Sequence, residues 1–182
     1  MIRARVERGS PIRATAFASI ALCLAGAGPA SAQVDYETAH LSRRLTAVRT
    51  ALPILVDGAL DEQAWSQAPV ATDFLQSEPR EGEAASEVTE VRALYDDENL
   101  YVGVVARDRE PQQLIVNELK KDFDVDNSDG FELVLDTFHD RRNGYVFSIN
   151  PSGAKADAQM ANEGRESLVW GMAMSASTSN TV

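Results

Sequence analysis

The sequence predicts an all-β fold: an antiparallel β-sandwich with one short helix near the domain start. Three observations predict it. Apolar runs of strand length recur from Ile54 to Met160, several alternating apolar with polar residues, which is the period of a half-buried strand. Turn residues separate these runs at close spacing, among them Asp57-Gly58, Asp96–Asn99, Asn143-Gly144 and Asn150–Gly153, the pattern of a sandwich. One short stretch, Glu62–Gln67, carries helix-start signals.

The elements follow in order. Pro53 and Asp57-Gly58 bracket a short strand, Ile54–Val56, because both mark chain breaks. Asp61 is the expected N-cap, with Glu62 favoured in the first turn by the helix dipole. The helix ends before Pro69, whose predecessor is pushed out of helical geometry. Trp65 points from it into the core. Phe74 and Leu75 suggest another short strand, and Glu78–Ala85 reads as a loop.

Val88–Tyr95 puts Thr89, Val91, Ala93 and Tyr95 on one face and Glu90 and Arg92 on the other. Across the Asp96–Asn99 turn it makes a hairpin with Leu100–Ala106. That second run is apolar on both faces, which predicts a central strand buried twice. Leu114–Leu119 fits strand or helix. Asp122–Gly130 is an acidic loop. Phe131–Asp136 alternates, with Phe131, Leu133 and Leu135 inward and Glu132 and Asp136 outward. Asn143-Gly144 is a hairpin signal that leads into Tyr145–Ile149. Lys155–Met160 is the last strand expected.

Ahead of these elements the chain reads as an address. Arg3, Arg5, Arg8 and Arg13 surround and precede a mostly apolar run from Ala14 to Gly28, and Ala30-Ser31-Ala32 is a small-residue cleavage site. Residues 1–32 therefore read as a signal peptide; a retained span would need about 20 apolar residues. Residues 33–51 read as a linker or N-terminal arm with little structure. The domain is expected over 52–170, followed by an irregular, uncharged tail at 171–182 that suggests truncation. The single cysteine, Cys23, falls in the leader, so the remaining chain has no disulfide. About 150 residues remain, enough for one domain.

The formal charge is −11, and losing the leader's four arginines and Glu7 makes it three charges more acidic. Such a surface repels nucleic-acid phosphates and anionic lipid. It suits neutral polar ligands and cations.

Four segments carry a family likeness. Ile54–Trp65 reads I-L-V-D-G-A-L-D-E-Q-A-W, and Thr89–Gly103 reads T-E-V-R-A-L-Y-D-D-E-N-L-Y-V-G. Ser128–Phe138 reads S-D-G-F-E-L-V-L-D-T-F, and Arg141–Ala154 reads R-R-N-G-Y-V-F-S-I-N-P-S-G-A. In this order they resemble the N-terminal carbohydrate-binding module family 9-like domain of long bacterial envelope proteins. The likeness runs from about Leu52 to Trp170. It implies a jelly-roll-like sandwich, export to the periplasm or outer-membrane surface, and a glycan ligand. It also implies envelope association through a C-terminal region missing here. A link to carbohydrate catabolism follows, because such modules travel with glycoside hydrolases.

Sugar recognition needs flat aromatics for pyranose faces and polar groups for hydroxyls. The carbohydrate-binding candidates are Trp170, Tyr145, Arg92 and Glu132, with Tyr101, Tyr95 and Asn150 behind them. Trp65, Tyr95 and Phe147 sit on faces that read as core, and a buried aromatic needs no ligand. For a metal, Asp122, Asp124, Asp126 and Asp129 offer the oxygen-rich loop that calcium takes, and the resemblance implies structural calcium too. The loop departs from a helix-loop-helix calcium loop at Asn127, where Gly is required, and at Leu133, where Glu is required. A solvated acidic turn is the competing reading.

No catalytic residue is expected. His40 and His139 are far apart, and no G-x-S-x-G, H-E-x-x-H or phosphate-cradling loop occurs. The sequence reads as a non-catalytic exported carbohydrate-binding module. The alternatives are a structural cap or interaction domain for a β-rich outer-membrane partner, or a glycoside hydrolase with two converging carboxylates.

Overall fold

The computed structural model describes residues 43–162 and 166–169 of the 182. The leader, the first half of the arm, Trp170 and the 171–182 tail lie outside the described residues. Two sheets dominated by antiparallel pairing make an all-β sandwich, as the strand spacing predicts. The first sheet has the order β1-β2-β3, with β1 at Ala47–Arg49, β2 at Thr89–Tyr95 and β3 at Leu100–Ala106. The second has the order β4-β5-β6-β7. Its strands are β4 at Phe131–Leu135, β5 at Gly144–Ile149, β6 at Lys155–Ala161 and β7 at Glu166–Val169.

The hairpin β2–β3 forms in the expected register, closing at Tyr95 opposite Leu100. Its turn is built by Asp96, whose Oδ1 accepts from the backbone N–H of Glu98 (2.8 Å) and Asn99 (2.7 Å). The Tyr101 hydroxyl donates to Asp96 Oδ2 at 2.7 Å. These donors favour the ionised carboxyl and pull it from 3.8 down to about 2, the Tyr101 bond contributing most.

The one α-helix among the described residues, α1 (Gln63–Gln67), lies on this sheet. Trp65, 5% exposed, packs with Ala64, Ala68 and Leu94, flanked by Val48, Ile54, Leu60 and Tyr101. Burying the indole contributes on the order of 3 kcal/mol, and its Nε1 donates to Glu62 Oε2 at 2.9 Å. Gly103 makes room for it: a Cβ there would meet Leu60 Cδ2 and Trp65 Cζ3 at 2.9 Å. The other face of β2 carries Val91, fully buried, with Thr89 and Ala93. A strand dry on both faces needs a layer on each side.

Several expectations are corrected. Ile54–Val56 is not a strand. The place beside β2 is taken by β1, which pairs with it in parallel from Ala47↔Ala93 to Arg49↔Tyr95, so the arm contributes a strand. Below β1 the same edge is bridged by Ala71 opposite Val91. This also makes β2 the central strand, and β3 lies at the edge among the described residues. Phe74–Leu75 gives a single bridge, Leu75 to Ala84.

Asp61 does not cap the helix. Glu62 occupies the N-cap position in extended geometry without a side-chain cap bond. Its carboxylate instead takes the Leu55 N–H at 2.7 Å and the Trp65 indole. Tyr95, placed with the core by alternation, is 41% exposed because it ends its strand at the turn. The undecided Leu114–Leu119 is neither strand nor α-helix. The final strand, β7, pairs antiparallel with β6 and was not foreseen.

Candidate functional site

The second sheet is a meander, and its first two turns fix the β4–β5 and β5–β6 registers. At the first, Gly144 is needed for close approach: a Cβ would lie 2.6 Å from the Leu135 carbonyl oxygen. At the second, Asn150 is 1% exposed and its side chain is fully engaged. Its Oδ1 accepts from Ser152 N (3.1 Å), Ser152 Oγ (2.6 Å) and Ala154 N (2.9 Å), and its Nδ2 donates to Glu118 O at 2.8 Å. Together these turns set Glu132 opposite Ser148, with the Ser148 hydroxyl donating to Glu132 Oε2 at 3.3 Å.

The acidic loop folds down beside this pair. Asp129 is buried; its N–H donates to Ile115 O (2.9 Å) and its Oδ2 accepts from Ile115 N (2.8 Å). Ser128 Oγ donates to the Ile115 and Asp129 carbonyls, both at 3.2 Å. Asp124 caps a one-turn 3₁₀ helix, Val125–Asn127. Lys121 Nζ bridges Asp122 (2.6 Å) and the buried Asp157 of β6 (2.8 Å). The Asp122 and Asp157 oxygens hold the Lys121 ammonium above its ordinary range. The loop is thereby fastened to the sheet and buries Phe123 against it.

Where loop and sheet meet, a shallow, solvent-open recess forms. Phe123, Val125, Ser128 and Gly130 line it from the loop, and Phe131, Glu132 and Ser148 from the strands. Among the described residues no cation pairs with Glu132. A carboxylate and two hydroxyls thus share one small recess, with the buried Phe123 at its wall. This set can hydrogen-bond a polyhydroxylated ligand while its C–H faces pack on that wall.

Of the carbohydrate-binding candidates among the described residues, Glu132 lines this cleft and Tyr145 and Arg92 do not. Tyr145 lies on the same strand as Ser148 but three residues away, so its side chain projects from the opposite face. Arg92 belongs to the other sheet, where its Nη1 meets Glu90 Oε2 at 3.2 Å. Trp170 lies outside the described residues. Tyr101 and Asn150 serve the two turns described above.

The four aspartates chosen as metal ligands are not brought together. Asp122 faces Lys121, Asp124 accepts from Asp126 N and Asn127 Nδ2, and Asp129 holds Ile115. Among the described residues no group of three or more His, Cys, Asp or Glu side chains is placed to hold a metal ion. So placed, these residues do not fit a shared calcium. Asp129 Oδ1 is buried without a hydrogen-bond partner among the described residues.

Phe123, Ser128 and Ser148 were missed by the sequence reading. Ser148 carried no signal of its own, because the long β4–β5 turn, and not a two-residue turn at Asn143-Gly144, sets it opposite Glu132. Phe123 was hidden inside a loop read only for its carboxylates.

The chain matches the family described as carbohydrate family 9 binding domain-like over residues 56–180, well over half its length. No curated protein and no solved structure matches it.

Proposed function

We infer the function from a premise and a site: the chain belongs to the carbohydrate family 9 binding domain-like family, and its cleft at Glu132 suits a sugar. Membership supports carbohydrate binding as the functional class. The observation that carries the placement is the Glu132–Ser148 pair, set beside Phe123 and Phe131 at the mouth of the acidic loop. Glu132 accepts ligand hydroxyls, the serine oxygens add polar contacts, and the wall of the recess packs against apolar sugar faces.

The leader-like residues 1–32 support export, with the periplasm or outer-membrane surface as destination. Envelope association and a link to carbohydrate catabolism go with that reading. Isothermal titration of the full chain against a panel of soluble oligosaccharides tests the binding. Saturable heat that Glu132→Ala weakens at least tenfold is the expected result. A folded chain that answers to no sugar in the panel rejects it.

A further inference from the structure

We propose that the Glu132 cleft prefers an aminated sugar, one carrying a free ammonium group, over neutral and acidic sugars. This rests on the glycan reading of the same site and names its ligand class. Three observations carry it. First, Glu132 is the only charged residue lining the cleft, and no cation among the described residues neutralises it. Its one described hydrogen bond, from Ser148 Oγ, is a long 3.3 Å and leaves Oε1 open.

Second, the cleft is short of donors. Ser148 Oγ is committed to Glu132, and Ser128 Oγ to the Ile115 and Asp129 carbonyls. What these side chains present to a ligand is acceptor oxygen. An ammonium supplies three donors and a positive charge, whereas a carboxylate-bearing sugar supplies further acceptors and a like charge.

Third, the buried Phe123 walls the recess beside that carboxylate, and partial exclusion of water strengthens the carboxylate's pull on an ammonium. The loop cation Lys121 does not compete, because Asp122 and Asp157 already hold it.

The test compares glucosamine, N-acetylglucosamine, glucose and glucuronic acid as ligands of the full chain. Titrations are run at a pH where the free amine is protonated. The expected order is glucosamine tightest, by about three- to tenfold over glucose, and glucuronic acid weakest. N-Acetylation removes the charge and keeps the ring, so it abolishes the advantage. Glu132→Gln weakens both sugars and brings glucosamine level with glucose. In the unaltered chain the advantage shrinks as salt rises, a readout that does not depend on the variant folding. Equal binding of glucosamine and glucose overturns the amine preference and leaves the glycan reading standing. Preference that persists in folded Glu132→Gln overturns the role given to this carboxylate. No binding of any sugar overturns both.

Discussion

Replacing Asn150 with alanine removes four side-chain hydrogen bonds from one buried point. The losses are unequal. Ser152 is exposed, so water replaces its two bonds at little net cost. Ala154 is buried, and its N–H would be left without an acceptor, at about 2 kcal/mol. The bond to the Glu118 carbonyl ties the 114–119 segment to the β5–β6 turn, and its loss adds about 1 kcal/mol. The sum is about 3 kcal/mol, which lowers the melting temperature by roughly 10–15 °C for a domain of this size. Asn150→Asp keeps the acceptor bonds but turns a carboxylate oxygen toward the Glu118 carbonyl. It is therefore destabilised at neutral pH and recovers partly in acid, where protonation restores a donor. Ser152→Ala stays within about 1 kcal/mol of the parent. Thermal and urea unfolding followed by circular dichroism read all three. An Asn150→Ala protein within about 0.5 kcal/mol of the parent would refute the reasoning.

Gly144→Ala is expected to destabilise by about 2–3 kcal/mol, because the new methyl group meets the Leu135 backbone carbonyl, which cannot rotate away. Gly103→Ala meets side chains of Leu60 and Trp65 instead, so urea unfolding should show a smaller loss, about 1–2 kcal/mol. Trp65→Phe loses the Glu62 bond and part of the packing, about 1–2 kcal/mol by the same assay. The Asp96 carboxyl, held at about 2 against an ordinary 3.8, contributes stability that is fully present above its ordinary value. That contribution is lost as pH falls through the interval, so the gap in melting temperature between the parent and Asp96→Asn narrows in acid. Tyr101, raised above 10.0 by the same hydrogen bond, contributes below its ordinary value and loses that contribution as pH rises past it. Its phenolate absorbance should appear later in Asp96-containing protein than in Asp96→Asn.

Much of the sandwich is legible in the sequence because local chemistry and tertiary pairing agree there. Alternation in Thr89–Tyr95 and Phe131–Leu135 predicts strands that form as read, and the turn residues His139–Gly144 predict the hairpin that joins β4 to β5, though through a longer turn than Asn143-Gly144 alone. The failures come where pairing depends on distant chain. Ile54–Val56 has strand composition, but the edge beside β2 is filled by Ala47–Arg49, whose three residues show no strand signal of their own. Apolar residues on both faces of β3 suggested a centre, while its neighbours make it an edge. The acidic loop shows the same limit for the site. Its aspartates look like ligands by spacing, yet Asp129 takes the remote Ile115 N–H, Asp124 caps its own turn and Asp122 pairs with Lys121. Glu132 was legible as a polar outward residue; its partners Phe123 and Ser148 needed the folded loop.

The account's central claim is that the β4–β5 cleft holds the sugar. Amide chemical-shift mapping of the isotope-labelled full chain, titrated with its tightest soluble glycan, tests it most directly. The account predicts saturable shifts confined to Phe123, Ser128, Gly130, Glu132 and Ser148, with Arg92 and Tyr145 unmoved. Saturable shifts centred on Arg92 or Tyr145, with the cleft silent, would contradict it.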